Sequence, residues 1–340
     1  MKAREYTFDA SYQPQVRTKT GTSNIMLDVI IALIPAMAVG VWQFGARVLA
    51  LLAISVVSAV FFEWGYRKLM KKPDSIGDLS ACVTGILLVL TLPSSAPLWM
   101  PVIGAFFGII VVKQLYGGLG KNFVNPALAG RAFLFFSWTK LMTNWAVPTS
   151  LKGVVDGVSM ATPLSAMKAG AAVDLSYCDM FIGKMPGSIG EISALALLIG
   201  GLYLLAKKVI NWRIPVAYIG TVAVLTLVFG KAGYSNVDWM MCNLLTGGLF
   251  LGAIFMATDY SSSPVTLNGQ LLYGFGCGAL TVLIRYFGGF PEGVTFAILI
   301  MNLCAWAIDK GTRGRQFGVS KEDLKAAKKA AKAAKKEAKA

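Results

Sequence analysis

Apolar residues in this chain run in long blocks and do not alternate with polar ones. The blocks fall at roughly 25–45, 47–66, 79–93, 98–116 and 123–139, and, beyond a polar stretch, at 189–206, 214–230, 240–257, 269–287 and 293–309. A block near 20 residues is the length of helix that crosses a bilayer core about 30 Å thick. The pattern therefore predicts an all-α integral membrane protein with about ten transmembrane helices. The third and fifth blocks are short or interrupted, which predicts broken or re-entrant helices there. The chain divides accordingly into an N-terminal segment (1–24), a first set of five helices (25–140), a polar loop (141–188), a second set of five (189–310) and a tail (311–340). The N-terminal segment lacks the apolar core and small-residue cleavage site of a secretory signal.

The two sets of five share a motif. SACVTGILLVLTLPSSAP (80–97) resembles CNLLTGGLFLGAIFMATDYSSSP (242–264): Thr84-Gly85 matches Thr246-Gly247, and a Ser-Ser run followed by proline closes each. Two copies of five spans must point in opposite directions, so the expected architecture is a pair of inverted five-helix repeats, a plan that builds mid-membrane sites from broken helices.

Composition sharpens this picture. Only 14% of the residues are charged against about 25% in an ordinary soluble domain, and mean hydropathy is +0.62, so a soluble enzyme is excluded. The chain has no histidine, which removes His-ligated haem, His-bearing zinc sites and Ser-His-Asp triads. Its cysteines (Cys82, Cys178, Cys242, Cys277 and Cys304) never form a C-x-x-C pair. An iron–sulfur cluster held by this chain alone is therefore disfavoured, and the four in apolar blocks read as small buried hydrophobes. Any redox carrier here should be organic. The net charge of +15 is concentrated at loops and in the tail, where residues 321–340 hold eight lysines against three acids. Lys and Arg follow the even-numbered blocks, as at Arg67, Lys68, Lys71 and Lys72 or Lys207, Lys208 and Arg213. That excess reads as membrane topology and attraction to anionic lipid and not as nucleic-acid binding. It places both termini in the cytoplasm and loop 141–188 outside.

Three polar constellations are candidates for chemistry. Loop 141–188 contains Asp156-Gly-Val-Ser159-Met160-Ala161-Thr162-Pro163, which taken alone is also an Asp/Ser turn entering a helix cap. Asn122 and Asn125 precede Pro126 in KNFVNPALAGRAF, where they either cap a broken helix or meet a polar ligand inside the membrane. Asp259, among Thr258, Ser261, Ser262 and Ser263, offers hard oxygens to a small cation or a proton relay, or else closes a helix in a solvated loop. Asp28 at the head of the first block carries the same ambiguity. Glu63 is explained by Arg67 one helical turn on, and Gly274-Phe275-Gly276-Cys277-Gly278 by close helix packing, with no need of a dinucleotide loop.

At these residues the chain resembles a known family. The 156–162 stretch resembles the D-x-x-[ST]-x-A-T motif at which a flavin transferase esterifies a threonine with FMN, although Met160 stands where a smaller residue is frequent. From IMLDVIIALIPA (25–36) through KNFVNPALAGRAF (121–133) to FMATDYSSSP (255–264), the chain resembles the D-subunit family of the Rnf electron-transport complex, whose close relative is the B subunit of the sodium-pumping NADH:quinone reductase. The resemblance implies FMN covalently bound to Thr162, with Asp156, Ser159 and Ala161 as the recognition motif, and a non-covalent riboflavin near Asn122 and Asn125. It implies a cofactor-carrying subunit, not catalytic alone, of an ion-translocating ferredoxin:NAD⁺ oxidoreductase in a prokaryotic cytoplasmic membrane, coupled to Na⁺ or H⁺. Asp259 and Asp28 would be candidates for the cation pathway. Implied partners are iron–sulfur and NAD-binding subunits, an external flavin subunit, the flavin transferase and membrane lipid. The alternatives are a flavin-free channel or transporter of the urea-transporter type, which has no use for the 156–162 motif, and the quinone-reducing relative, which typically carries a longer N-terminal extension.

Overall fold

A computed structural model describes residues 21–151, 160–171, 176–231, 233–289 and 293–314. The described residues are helical throughout, with no strand beyond an isolated bridge between Pro93 and Ser188. The principal helices are α1 (Thr22–Phe44), α2 (Arg47–Leu69), α3 (Ser80–Leu90), α4 (Met100–Gln114), α5 (Pro126–Ser137), α6 (Pro163–Lys168), α7 (Ala194–Ala206), α8 (Arg213–Val228), α9 (Asn236–Leu245), α10 (Leu249–Met256), α11 (Leu267–Phe287) and α12 (Val294–Thr312). Four of them (α1, α2, α11 and α12) are long and apolar enough to cross a membrane unaided, and α9 with α10 passes the same test only as a pair bent by 57°, the form of a broken span or a re-entrant loop. This is a multi-pass membrane protein. Large apolar side chains such as Trp42, Val57, Phe61, Leu202, Leu303 and Trp306 face outward, where lipid and not water is the natural neighbour.

The short blocks are short for identifiable reasons. Helix α3 stops at Leu90, eleven residues in, and its terminal carbonyls are met by another loop: Gly190 N–H donates to Leu90 O at 2.8 Å and Ile189 N–H to Leu92 O at 3.0 Å. Helix α5 starts late because Asn125 caps it, its Oδ1 accepting from the N–H groups of Ala127 (3.0 Å) and Leu128 (3.4 Å), with Pro126 at the first helical position. The break between α9 and α10 falls at Gly247 and Gly248, whose φ values of +70° and +71° suit only glycine. The Arg285 guanidinium satisfies the carbonyls left over at that break, donating to Asn243 O (2.6 Å), Thr246 O (3.2 Å) and Gly247 O (3.2 Å).

Five helix pairings recur in both sets of helices. In the first half α2 packs on α3 and α4, α4 on α5, α3 on α5, and α1 on α3; in the second, α8 packs on α9 and α11, α11 on α12, α10 on α12, and α7 on α10. The halves meet through α1 on α7 and α5 on α12. Glycines set the close crossings. Gly274 and Gly278 lie against Ile214, Ala217 and Tyr218, Thr221 of α8, as expected for that glycine run. At Gly200 of α7 an added Cβ would fall well inside contact distance of Ala32 O of α1. Gly200→Ala should therefore cost about 1–3 kcal/mol, read as a lowered midpoint of thermal unfolding in detergent, because a backbone carbonyl cannot rotate away.

Two expectations need correction. Of the four cysteines in apolar blocks, only Cys242 and Cys277 are buried; Cys82 is half-buried and Cys304 is exposed on the outer face of α12. Glu63 is not chiefly Arg67's partner, for its nearest contact there is 3.9 Å. Its carboxylate instead takes the Lys113 ammonium at 2.7 Å and the Ser75 hydroxyl at 2.5 Å. Lys113 reaches it from the π-helical second part of α4, Phe107–Gln114, where a wider helical turn displaces the side chain from the face it would otherwise occupy.

Candidate functional sites at the two ends of the bent span

One site surrounds Thr162. Asp156 and Ser159 lie outside the described residues; Ala161 is exposed and Thr162 is 5% exposed. Thr162 caps α6: its Oγ1 accepts from Ser165 N–H at 3.3 Å and donates to Ser165 Oγ at 3.0 Å. The short helix is sewn down from several directions. Leu164 lies over Gly247 at the α9–α10 break, and Met167 packs with Trp239 and Cys242 of α9. Lys168 Nζ donates to Gly288 O at 2.6 Å, Lys231 Nζ to the carbonyls of Met167 (3.0 Å) and Lys168, and Tyr234 OH to Ala171 O at 2.8 Å. Burial, and then the neighbouring Lys231, push the Lys168 ammonium below its ordinary pKa. Close by, Tyr177 donates its hydroxyl to Asp238, and that bond pushes the phenol up to about 12, so it stays a neutral donor.

The second site is a pocket of about 760 Å³, counting the space at its mouth, between α1, α3, the end of α4, the start of α5, α7 and α10. Its walls are mostly apolar (Val83, Leu87 and Ile254 among them), with Lys113, Asn122 and Asp259 as polar members. Both asparagines border it, yet they differ in what they have left to offer. Asn125 is committed: its Oδ1 caps α5 and its Nδ2 donates to Met256 O at 3.2 Å. Asn122 donates through Nδ2 to Val124 O (3.2 Å) and Asp259 Oδ2 (3.4 Å), which leaves Oδ1 as an acceptor. Asp259 Oδ2 also accepts from Ser261 Oγ (3.0 Å) and Ser262 Oγ (2.9 Å). Asn302 of α12 supports the arrangement with its amide oriented to accept from Asn125 N–H (3.1 Å) and donate to Ser262 O (3.2 Å). Asp28 stands apart from Asp259, held by Tyr203 OH at 2.6 Å and facing Lys207 at 3.9 Å.

Between the two sites runs α10, eight residues or about 12 Å of helix, with Gly248 at the Thr162 end and Asp259 just beyond the pocket end. Beside its first turn lies a buried ion pair, Arg131 of α5 to Glu191 at 2.6 Å, completed by Ser188 Oγ on the other carboxylate oxygen at 2.8 Å. A Cβ on Gly248 would fall within 2.5–2.7 Å of the Glu191 carboxyl atoms, so the glycine is needed for fit as well as for φ. Sequence reading missed this pair and Lys113. An arginine inside PALAGRAFLFF and a lysine inside GIIVVKQLYG were visible signals, since a charge within an apolar run must find a partner.

Both sites lie in a chain that is similar to known proteins over nearly its whole length. The sequence model of the NQR2, RnfD, RnfE family matches residues 9–318. The chain is 48% identical over 320 residues to the D subunit of the Na⁺-translocating ferredoxin:NAD⁺ oxidoreductase complex of Acetobacterium woodii, covering 93% of this chain and 97% of that one. It is 43% identical over 320 residues to the D subunit of the proton-translocating ferredoxin:NAD⁺ oxidoreductase complex of Clostridium ljungdahlii, with 92% and 96% covered. It is 35% identical over 347 residues to the D subunit of the ion-translocating oxidoreductase complex of Actinobacillus succinogenes, with 92% and 98% covered.

Proposed function

The chain belongs to the NQR2, RnfD, RnfE family, and from that premise we propose that it carries electrons across a membrane through FMN esterified to Thr162 and a riboflavin in the pocket at Asn122. It is a subunit of an ion-translocating oxidoreductase complex and not catalytic alone. The observation that carries this reading is 48% identity, over nearly the whole length, to the D subunit of a ferredoxin:NAD⁺ oxidoreductase complex. We assign it ten spans in two inverted repeats, 25–140 and 189–310, with residues 1–24 and 311–340 in the cytoplasm and loop 141–188 outside a prokaryotic cytoplasmic membrane. The repeated packing plan and the bent span favour that assignment. Its partners are the iron–sulfur, NAD-binding and external flavin subunits and a flavin transferase; Asp259 and Asp28 are the candidates for a cation pathway.

The residues fit both flavins. Esterification removes only the hydrogen that Thr162 Oγ1 donates to Ser165 Oγ, while the bond accepted from Ser165 N–H can persist. The diester keeps a negative charge; the docked segment carries Lys168 and is held by Lys231 from the connection after α8. A flavin ring is flat and largely apolar, with an imide edge that both accepts and donates hydrogen bonds. The pocket matches it in kind, apolar over most of its wall and polar at Lys113, Asn122 and Asp259. When bound, the flavins supply the one- and two-electron chemistry; the chain's own residues hold, orient and shield them.

A denaturing gel viewed under ultraviolet light tests the covalent flavin, since only an esterified FMN travels with the polypeptide. For the second flavin the two asparagines separate. Asn122→Leu should abolish acid-extractable riboflavin while fluorescent FMN stays on the chain. Asn125→Leu should lower stability by about 1 kcal/mol through the lost cap, and the double variant should show both effects. Riboflavin content unchanged in Asn122→Leu would remove that residue from the site.

A further inference from the structure

Lys113 is fully buried, yet it borders the pocket. Its ammonium makes two bonds, to Glu63 Oε2 at 2.7 Å and Ser80 Oγ at 2.6 Å, so two of its three hydrogens are used. Ser80 passes the interaction on, donating to Asp78. Glu63 lies behind Lys113, is wholly buried and does not line the pocket, so the pair turns its positive end toward the cavity. Asn122, whose Oδ1 is left as an acceptor, lines the same pocket, as does Asp259. A donor with positive charge and acceptors at Asn122 and Asp259, in a pocket whose wall is mostly apolar, match a ring edge that offers a carbonyl next to an N–H.

We infer that Lys113 is the positioning residue for the pocket flavin: it donates its third hydrogen to a pyrimidine carbonyl, and the Glu63–Lys113 pair sets how easily that flavin is reduced. The inference rests on the riboflavin reading above. Charge near the pyrimidine edge is a means by which proteins tune a flavin: an electron added to the ring is stabilised by a nearby ammonium, and that stabilisation weakens if the ammonium is lost and grows if its counter-charge is lost.

The test uses the assembled complex in detergent, with two measurements on each variant: riboflavin released by acid per covalent FMN, and the midpoint potential of the non-covalent flavin by spectroelectrochemical titration. Glu63→Gln removes the counter-charge and keeps the ammonium; it should retain riboflavin and shift the potential upward. Glu63→Gln with Lys113→Met removes both charges without leaving either buried alone. It should hold riboflavin about tenfold or more weakly, as expected for a lost bond to a charged donor, and shift the potential of the remainder downward. Lys113→Arg, which keeps charge and donor, should stay near the wild-type potential and guards against a fold defect in the double variant. Shifts of opposite sign are not what a purely structural pair would give. Potentials that move together, or not at all, at wild-type riboflavin content would overturn the role of Lys113 alone. A wild-type complex that releases no riboflavin would instead bring down the reading of the pocket.

Discussion

Thr162→Ala is expected to yield a chain that is dark under ultraviolet light after denaturing electrophoresis, in a complex that still assembles but no longer reduces NAD⁺ with ferredoxin. The group lost is the oxygen to which the phosphate would be joined, and the hydroxyl bonded to it among the described residues, Ser165 Oγ, is committed to Thr162 O at 2.8 Å. The structural penalty is small, since Thr162 caps only a six-residue helix and a lost cap costs about 1 kcal/mol. Leu164, Met167, Lys168 and Lys231 still hold the segment down. Thr162→Ser keeps the oxygen and the cap and should keep fluorescence. A fluorescent Thr162→Ala band would place the flavin elsewhere.

The largest expected loss of stability comes from a different residue. Arg131→Met should cost about 3–5 kcal/mol, because it leaves the Glu191 carboxylate buried, held by Ser188 and without its countercharge. The loss would be localised: Glu191 sits against Gly248, so strain there reaches the bent span between the two sites. Arg131→Met with Glu191→Gln removes both charges and should recover most of the stability, since a neutral pair of similar volume has no such desolvation cost. The measurement is the thermal midpoint of the purified protein in detergent, with covalent FMN as the check that Thr162 is still loaded. If the single and double variants melt alike, the ion pair does not hold this part of the bundle.

The blocks of apolar residues marked where helices lie and that the third and fifth are short, but the break between helices falls in the eighth block, at Gly247 and Gly248. They did not reveal why those helices stop. Helix α3 ends where residues 188–190, a hundred positions away, cross it and take its carbonyls, and no local pattern announces such a partner. The Thr-Gly match between the halves was real in sequence and partly misleading in shape. Thr84 and Thr246 each return a bond to the carbonyl four residues back, but Gly85 continues its helix while Gly247 breaks one. Lys113 falls near the end of an apolar run, where a charge ordinarily flanks a span. Only the π-helical turn, which sequence periodicity does not encode, brings it inward to Glu63. Asn122 and Asn125 looked interchangeable at a spacing of three, and separated only when the cap of α5 was seen to consume one of them.

The two halves share a packing plan and not a polar interior. One buries Glu63 against Lys113 near the pocket; the other spends Arg285 on the carbonyls of a broken helix near Thr162. Inverted repeats that packed alike would offer little to tell one face from the other, so a difference between the faces would have to come from the side chains. The buried charges on matching helices are spent differently: Lys113 of α4 faces Glu63, whereas Arg285 of α11 meets backbone carbonyls. Exchanging the two arrangements between halves would preserve much of the scaffold while reversing the sense in which its two faces differ.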